Sequence, residues 1–202
     1  MNDAQAKLKV LLKTKGTGQT MSKALDSEAC STLLSLSQNP DVNPVTLSTL
    51  FTALYMLERT KEEENLFEIL QSHSLFKQIL KPQHKIGPII QKLIHYESLN
   101  SEELKTCCHF VFGSDFNACL AAALFEALRI KRESHLENRL FLEHLRLLST
   151  PQNTRIKVLV NLADPFDGLK KGFPIGLFVA SLLASFSIPC LVEGAQAVGP
   201  KF

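Results

Sequence analysis

Residues 25–67 read LDSEACSTLLSLSQNPDVNPVTLSTLFTALYMLERTKEEENLF, and they align without a gap on residues 99–141, LNSEELKTCCHFVFGSDFNACLAAALFEALRIKRESHLENRLF. Of the 43 aligned positions 13 are identical, whereas chance would give about 3. The offset of 74 residues therefore predicts a duplicated module. The identical pairs are Leu25 with Leu99, Ser27 with Ser101, Glu28 with Glu102, Thr32 with Thr106, Asp41 with Asp115, Asn43 with Asn117, Leu50 with Leu124, Phe51 with Phe125, Ala53 with Ala127, Leu54 with Leu128, Glu63 with Glu137, Leu66 with Leu140 and Phe67 with Phe141.

The shared residues indicate that the repeated unit is helical. Asn43 and Asn117 each stand where a side-chain oxygen can cap the free N–H groups of a following helix. After each asparagine, apolar residues recur with the spacing of one helix face, as Leu47, Leu50, Phe51 and Leu54 and as Ala121, Leu124, Phe125 and Leu128. Thr60 with Glu63, and Ser134 with Glu137, have the spacing of capping boxes that open another helix. We expect helices near 26–38, 44–58 and 61–72, and again near 100–112, 118–132 and 135–148.

A further helix is expected before each copy, because both segments carry closely spaced apolar residues. These are Leu8, Val10, Leu11 and Leu12 before the first copy, and Ile89, Ile90, Leu93 and Ile94 before the second. Two prolines and a glycine in Lys81 to Pro88 interrupt regular structure and mark a boundary, as do residues 150–154. The predicted organisation is a first helical repeat in 1–80, a second in 81–150 and another segment in 151–202.

The stretch Lys15-Gly16-Thr17-Gly18-Gln19 has the composition of a phosphate-binding loop. However, no strand pattern precedes it, and the full Walker spacing is absent. We therefore interpret it as a linker between helices.

The last segment has the pattern of a strand, a loop and an apolar helix. Ile156 to Leu162 is rich in β-branched and aliphatic residues, and Ile175 to Val192 carries no charge. Pro189 and several serines divide the apolar run into a buried helix, 175–186, and a buried strand, 189–193, in preference to a membrane span. The fold class is therefore mainly α, a duplicated helical module, followed by a short and incomplete α/β segment. Two strands with one crossover cannot cover both faces of a sheet, so we expect a truncated domain or one that a partner completes.

Composition sets few limits on function. The 202 residues are 45% hydrophobic and 21% charged, which is ordinary for a globular protein. A net charge of +2 gives no basic surface that would by itself indicate nucleic acid or an anionic membrane. The five cysteines are odd in number and no signal-peptide pattern opens the chain, which favours a cytoplasmic location. Adjacent Cys107 and Cys108 lack metal-ligand spacing, so we expect buried or half-buried thiols and no metal site.

Several segments resemble one known family. Residues 89–148, with Ile-Ile-Gln-Lys-Leu at 89–93, Leu-Asn-Ser-Glu-Glu at 99–103 and Ala-Leu-Arg-Ile-Lys-Arg-Glu-Ser at 127–134, resemble the N-terminal helical domain of anthranilate phosphoribosyltransferase and its relatives, glycosyltransferase family 3. Residues 16–25, Asp164 to Gly168 and Ser187 to Gly194 resemble the anthranilate phosphoribosyltransferase-like paralogues. The resemblance implies a phosphoribosyltransferase-like α/β domain after the helices and dimerisation through the helical domain.

The resemblance also implies a phosphate site, in which this chain departs from the family. The family's Gly-Thr-Gly-Gly-Asp loop falls on Ala163-Asp164-Pro165-Phe166-Asp167, and its Asn-Ile-Ser-Thr ligands fall on Pro174-Ile175-Gly176-Leu177. Proline and phenylalanine remove backbone freedom, and Asp164 places a negative charge where phosphate would approach. The acidic metal-binding pair of the enzymes would lie downstream of Phe202, so no catalytic residue is assigned. The candidate phosphate-binding residues that remain are Asp167, Gly168, Lys170, Lys171, Gly194 and Lys201.

Three functions follow from these observations. The first is a divergent, non-catalytic anthranilate phosphoribosyltransferase-like protein that acts by helical association or ligand binding, as a homo-oligomer or as an intramolecular pseudo-dimer of its two repeats. The second is a fragment of a phosphoribosyl or pentosyl transferase, which would use Mg²⁺ with phosphoribosyl pyrophosphate; otherwise no cofactor is evident. The third is a nucleic-acid-binding paralogue with Lys170, Lys171 and Lys201 as a small basic edge. No membrane partner is expected.

Overall fold

The computed structural model describes residues 3–80, 84–150, 156–163 and 175–193. The chain divides into two compact units, Met1–Thr150 and Pro151–Phe202. The structure is mainly helical, as the sequence predicts. In the first unit the described helices are α1 Asp3–Lys15, α2 Ser27–Ser37, α3 Pro44–Met56, α4 Lys61–Leu70, α5 Ser74–Leu80, α6 Gly87–Ile94, α7 Ser101–Phe112, α8 Ala118–Lys131 and α9 His135–Leu148.

Side-chain caps set where the helices α2, α3, α4, α7, α8 and α9 begin. Asn43 accepts from the N–H of Val45, and Asn117 accepts from the N–H groups of Cys119 and Leu120. Complete capping boxes open α4 at Thr60 and α9 at Ser134, at the positions predicted for both. The predicted helix limits agree with the structure to within two residues, because the capping residues leave little choice of starting point.

Helices α3 and α8 lie at aligned positions of residues 25–67 and 99–141, which are called the first and the second copy below, and they pack directly against each other. Leu50 and Leu54 of α3 and Leu124 of α8 are fully buried. The Ser48 hydroxyl of α3 donates to the carbonyl oxygen of Cys119. Helix α1 also packs on α3, and α6 packs on α8, so the helix that precedes each copy covers the same element of that copy. The core of the first unit is built around α3 and α8.

Helix α5 is an addition to the predicted elements. Its Phe76 lies between Phe51 and Phe67, at ring-centroid distances of 5.1 and 5.3 Å, with both contacts edge-to-face. Phe51 and Phe76 are fully buried. Seven residues give only two turns of helical periodicity, which is too little for recognition from sequence.

The second unit contains two parallel strands and one helix among its described residues. Strand β1 is Val160–Ala163, helix α10 is Ile175–Ser185 and strand β2 is Cys190–Glu193. Val160 pairs with Cys190 and Ala163 with Glu193. The predicted strand limits, 156–162 and 189–193, are too wide at the start of each strand, because pairing is confined to four residues on each side. The prediction that the helix at 175–186 and the strand at 189–193 are buried is wrong, since Phe178, Leu182, Phe186 and Leu191 are exposed. In the described residues, no helix is long and apolar enough to cross a membrane.

Phe51 and Phe125 are aligned in the two copies, yet Phe51 is fully buried and Phe125 is 46% exposed. Replacing Phe51 with alanine removes a ring that contacts Phe76, and we expect a loss of about 3–5 kcal/mol in the free energy of unfolding. Phe125→Ala, the matched control, should cost no more than about 1 kcal/mol. Urea unfolding followed by far-UV circular dichroism measures both; equal losses would contradict the difference in packing.

Candidate functional site

The residues assigned from the family resemblance, Asp167, Gly168, Lys170, Lys171, Gly194 and Lys201, lie outside the described residues. The structure gives the elements beside them, since β1 ends at Ala163, α10 begins at Ile175 and β2 ends at Glu193. Among the described residues, no group of three or more His, Cys, Asp or Glu side chains is arranged to hold a metal ion. The buried polar and charged side chains of the described residues lie in the helical unit.

Glu63 is fully buried at the start of α4, where it contacts the residues that open α4, the residue before α2 and the end of α1. Its Oε2 accepts from the backbone N–H of Thr60, which completes the capping box, and its Oε1 accepts from the backbone N–H of Leu25. The Nζ of Lys15 is 2.8 Å from Oε1. Lys15 is itself buried at the end of α1 and donates a second hydrogen bond to the carbonyl of Glu58. The carboxylate thus ties the entry of α2 to the entry of α4 and to α1.

Glu137 makes the same contacts in the second copy. It accepts from the N–H of Ser134 and from the N–H of Leu99, the residue equivalent to Leu25. Its lysine, however, is Lys131 at the end of α8, with Nζ 2.8 and 2.9 Å from the two carboxylate oxygens. The residue aligned with Lys131 is Leu57, so the two copies neutralise equivalent carboxylates with lysines from different places in the chain.

Burial opposes ionisation of Glu137, but the hydrogen bonds from Leu99, Lys131 and Ser134 outweigh it and lower the pKa of the carboxyl to about 2. Because the folded-state pKa lies below the ordinary value of 4.5, the ionised form stabilises the fold. This contribution is complete above about pH 4.5 and is lost as the pH falls toward 2. The role of Glu137 is therefore structural at neutral pH.

The loop from Gly16 to Met21 joins α1 to α2 and is held by two arginines of the α8 terminus. Arg129 donates to the carbonyl of Gly16 at 2.8 Å, and Arg132 donates to the Thr20 hydroxyl at 3.0 Å. Lys15, which a phosphate loop would direct to its ligand, is buried against Glu63. The loop has the contacts of a connection between helices, in agreement with its interpretation as a linker.

Glu126 on α8 is the buried carboxyl with the weakest set of partners. Its Oε2 is 3.5 Å from Arg129, while its Oε1 has no hydrogen-bond partner among the described residues. The hydroxyl of Thr17, in the adjoining loop, is likewise buried without a partner in that set. Burial raises the pKa of Glu126 to about 7, although the Arg129 guanidinium opposes the shift. This carboxyl therefore titrates close to neutral pH.

The five thiols are buried or half-buried, as the sequence predicts. Cys30, Cys107 and Cys108 are buried, and Cys119 and Cys190 are half-buried. Burial, together with the neighbouring Cys108 and Glu103, raises the pKa of Cys107 to about 12. Because the thiolate is the nucleophile, Cys107 is unreactive at neutral pH.

An open groove of about 550 Å³ lies between α1 and α2, and polar and apolar atoms contribute about equally to its lining. Lys7 and Asp3 at its edge form an ion pair at 2.8 Å, and both side chains are largely exposed. A shallow surface of this kind lacks the enclosed apolar walls that are typical of small-molecule sites.

Within the first unit, the exposed large apolar side chains lie mainly on the second copy. Among the side chains described between residues 25 and 79, the exposed large hydrophobic one is Ile69 on α4. The corresponding part of the second copy exposes Phe112, Phe116, Phe125, Leu136, Leu142, Leu147 and Leu148. Near Phe125 and Phe141, no described aromatic ring takes the place that Phe76 has between Phe51 and Phe67. This part of the chain therefore exposes more large apolar side chains than the aligned part of the first copy.

Comparison of the chain with protein-family models, with curated proteins and with solved structures found no match.

The sequence identified Glu63 and Glu137 as capping residues but did not indicate their ion pairs. Lys131 stands six positions before Glu137, whereas Lys15 is 48 positions before Glu63, so no common spacing could reveal both. Glu126 was also missed, although a glutamate among the apolar residues of α8 was a detectable signal.

Replacing Glu137 with glutamine removes the charge that neutralises the buried Lys131, and we expect a loss of about 3–5 kcal/mol in the free energy of unfolding. Exposed Glu133→Gln is the control and should change stability by less than about 0.5 kcal/mol. Adding Lys131→Met to Glu137→Gln should recover part of the loss, because no unpaired charge remains. Chemical denaturation measures all three; a double variant less stable than Glu137→Gln would contradict the pairing.

Glu126→Gln tests the carboxyl that titrates near neutrality. Since the folded-state pKa is raised, the native state keeps its proton between about pH 4.5 and 7 while the unfolded state loses it. Wild-type stability should fall across this window, by up to about 3 kcal/mol, relative to Glu126→Gln. Thermal or urea unfolding at a series of pH values gives the difference between the two proteins. A difference that does not vary with pH would contradict the buried ionisation; exposed Glu133→Gln is again the control.

Proposed function

We propose that this chain is a divergent, non-catalytic anthranilate phosphoribosyltransferase-like protein of the cytoplasm that acts by helical association. In this proposal residues 25–67 and 99–141 are duplicated copies of one helical unit. The copies pair with each other through α3 and α8 as an intramolecular pseudo-dimer, and the second copy binds another polypeptide. The segment from β1 to β2 is the remnant of a phosphoribosyltransferase-like α/β domain.

The apolar surface of the second copy is the observation that carries the association. In the first copy the aligned residues are either buried or polar. Val42 and Phe51 are buried, with Phe51 in contact with Phe76 of α5, and the polar ones are Gln38, Glu62, Glu68, His73 and Ser74. The sequence aligned with α5 is Leu148 followed by Ser-Thr-Pro-Gln-Asn-Thr at 149–154, which lacks the apolar pattern of Ser74–Leu80. The second copy therefore has no sequence of its own at this place that could provide the same cover.

The sequence of the loop after β1 supports the absence of catalysis. Ala163-Asp164-Pro165-Phe166-Asp167 replaces the glycines whose N–H groups would surround a pyrophosphate, and Asp164 repels an anion. In phosphoryl-binding sites of this kind the protein contributes mainly position and charge stabilisation, so these losses remove most of what it would supply.

Two measurements on the purified full chain test the proposal. Isothermal titration calorimetry with phosphoribosyl pyrophosphate and Mg²⁺ should show no binding tighter than about 1 mM. Analytical ultracentrifugation should show association that Leu147→Glu abolishes, because a charge then replaces an exposed apolar contact. Micromolar binding of phosphoribosyl pyrophosphate would support the transferase and contradict the proposal. A chain that remains monomeric would also contradict the proposal.

A further inference from the structure

Helix α9 carries four exposed residues in a self-complementary order: Leu136, Arg139, Glu143 and Leu147. Leu136 is 56% and Leu147 is 82% exposed. The side chains of Arg139 and Glu143 are also exposed and lie 3.6 Å apart, one turn from each other. At 100° per residue, these four positions fall within an arc of about 80° on the helix surface. They form one narrow stripe, which is called the α9 stripe below.

The positions in the α9 stripe are nearly symmetric about residue 141. Leu136 and Leu147 stand about equally far from this point on its two sides, and so do Arg139 and Glu143. A second α9, related by a two-fold axis through this point and running antiparallel, would place Leu147 beside Leu136 of the other copy. The same axis would bring Arg139 opposite Glu143 of the other copy, and it would do so twice.

The charges favour this arrangement over a parallel one. In a parallel pair, Arg139 would face Arg139 of the second copy and Glu143 would face Glu143, which is repulsive at both levels. The antiparallel pair replaces both repulsions with attractions and also opposes the two helix dipoles. The opposite face of α9 is already used, since Glu137 is buried there with Leu99 and Lys131.

We propose that the α9 stripe is the contact through which a second copy of this chain binds, with the two α9 helices antiparallel. The inference rests on the proposed function, since it names the partner and the face for the association argued above. The interface is isologous, so each residue of the α9 stripe contributes twice.

Sedimentation velocity of the full chain between about 5 and about 200 µM, with circular dichroism as a check of folding, tests the pairing. The wild type should change from monomer to dimer over this range. Arg139→Glu and Glu143→Arg should each raise the dissociation constant about tenfold or more, because each turns two attractive contacts into two repulsive ones. The Arg139→Glu/Glu143→Arg double variant restores opposite charges and should return the dissociation constant close to the wild-type value.

Two further variants identify the face. Leu147→Glu should abolish the dimer, while Ile69→Glu, the same change at an exposed apolar residue of α4 in the first copy, should leave it intact. The chain contains no tryptophan, so Leu136→Trp introduces a single fluorophore whose emission should shift to shorter wavelength as the dimer forms.

The outcomes separate this inference from the proposed function. Association of the wild type that Leu147→Glu abolishes supports helical association. If, in addition, the charge reversals have no effect or the double variant does not recover dimerisation, the antiparallel pairing is wrong. A wild-type chain that is monomeric at every concentration overturns both. Phosphoribosyl pyrophosphate binding by a chain that dimerises as described would leave the α9 contact standing and overturn the non-catalytic function.

Discussion

The buried carboxylate at the start of the third helix of each copy is the constraint on which the helical unit depends. Glu63 and Glu137 each complete a capping box and each accept from a backbone N–H that lies 38 residues earlier in the chain. A glutamate at this place therefore fixes where the first helix of a copy begins relative to the third. Its charge has to be neutralised inside the protein, because an unpaired buried carboxylate would cost several kcal/mol. That requirement brings a lysine into each junction.

The source of that lysine gives the two copies different surroundings. Lys15 belongs to α1, so the first junction holds a preceding helix against the copy, whereas Lys131 belongs to α8, within the second copy itself. The first copy is also closed by α5 through Phe76, while the second exposes the equivalent Phe125. The aligned phenylalanines thus lie in the core of one copy, as Phe51, and on the surface of the other, as Phe125. This difference in cover is the basis for proposing the second copy as the side of the unit that contacts another molecule.

Much of the helical unit could be predicted from sequence, because its limits are set by local chemistry. Asn43, Thr60, Asn117 and Ser134 cap helices within three residues of themselves, and such signals need no knowledge of the rest of the fold. The ion pair of Lys15 with Glu63 could not be predicted, since it depends on how α1 packs. Nor could the exposure of Phe125, because its sequence context matches that of buried Phe51. The phosphate-binding residues assigned by resemblance fall outside the described residues, so that part of the site remains a prediction.

The packing of α3 against α8 bears on how such a chain would arise. On the proposed duplication, a single ancestral unit would have exposed the apolar face of α3 and would have needed a second molecule to cover it. Tandem fusion converts that symmetric pair of molecules into one chain, with the partner always present at high effective concentration. It also releases equivalent positions from having to remain identical. Thr52 on α3, whose hydroxyl bonds within its own helix, is aligned with Glu126 on α8, the buried acid that titrates near neutral pH. Fusion thus allows one half of a once symmetric contact to acquire a property that the other half lacks.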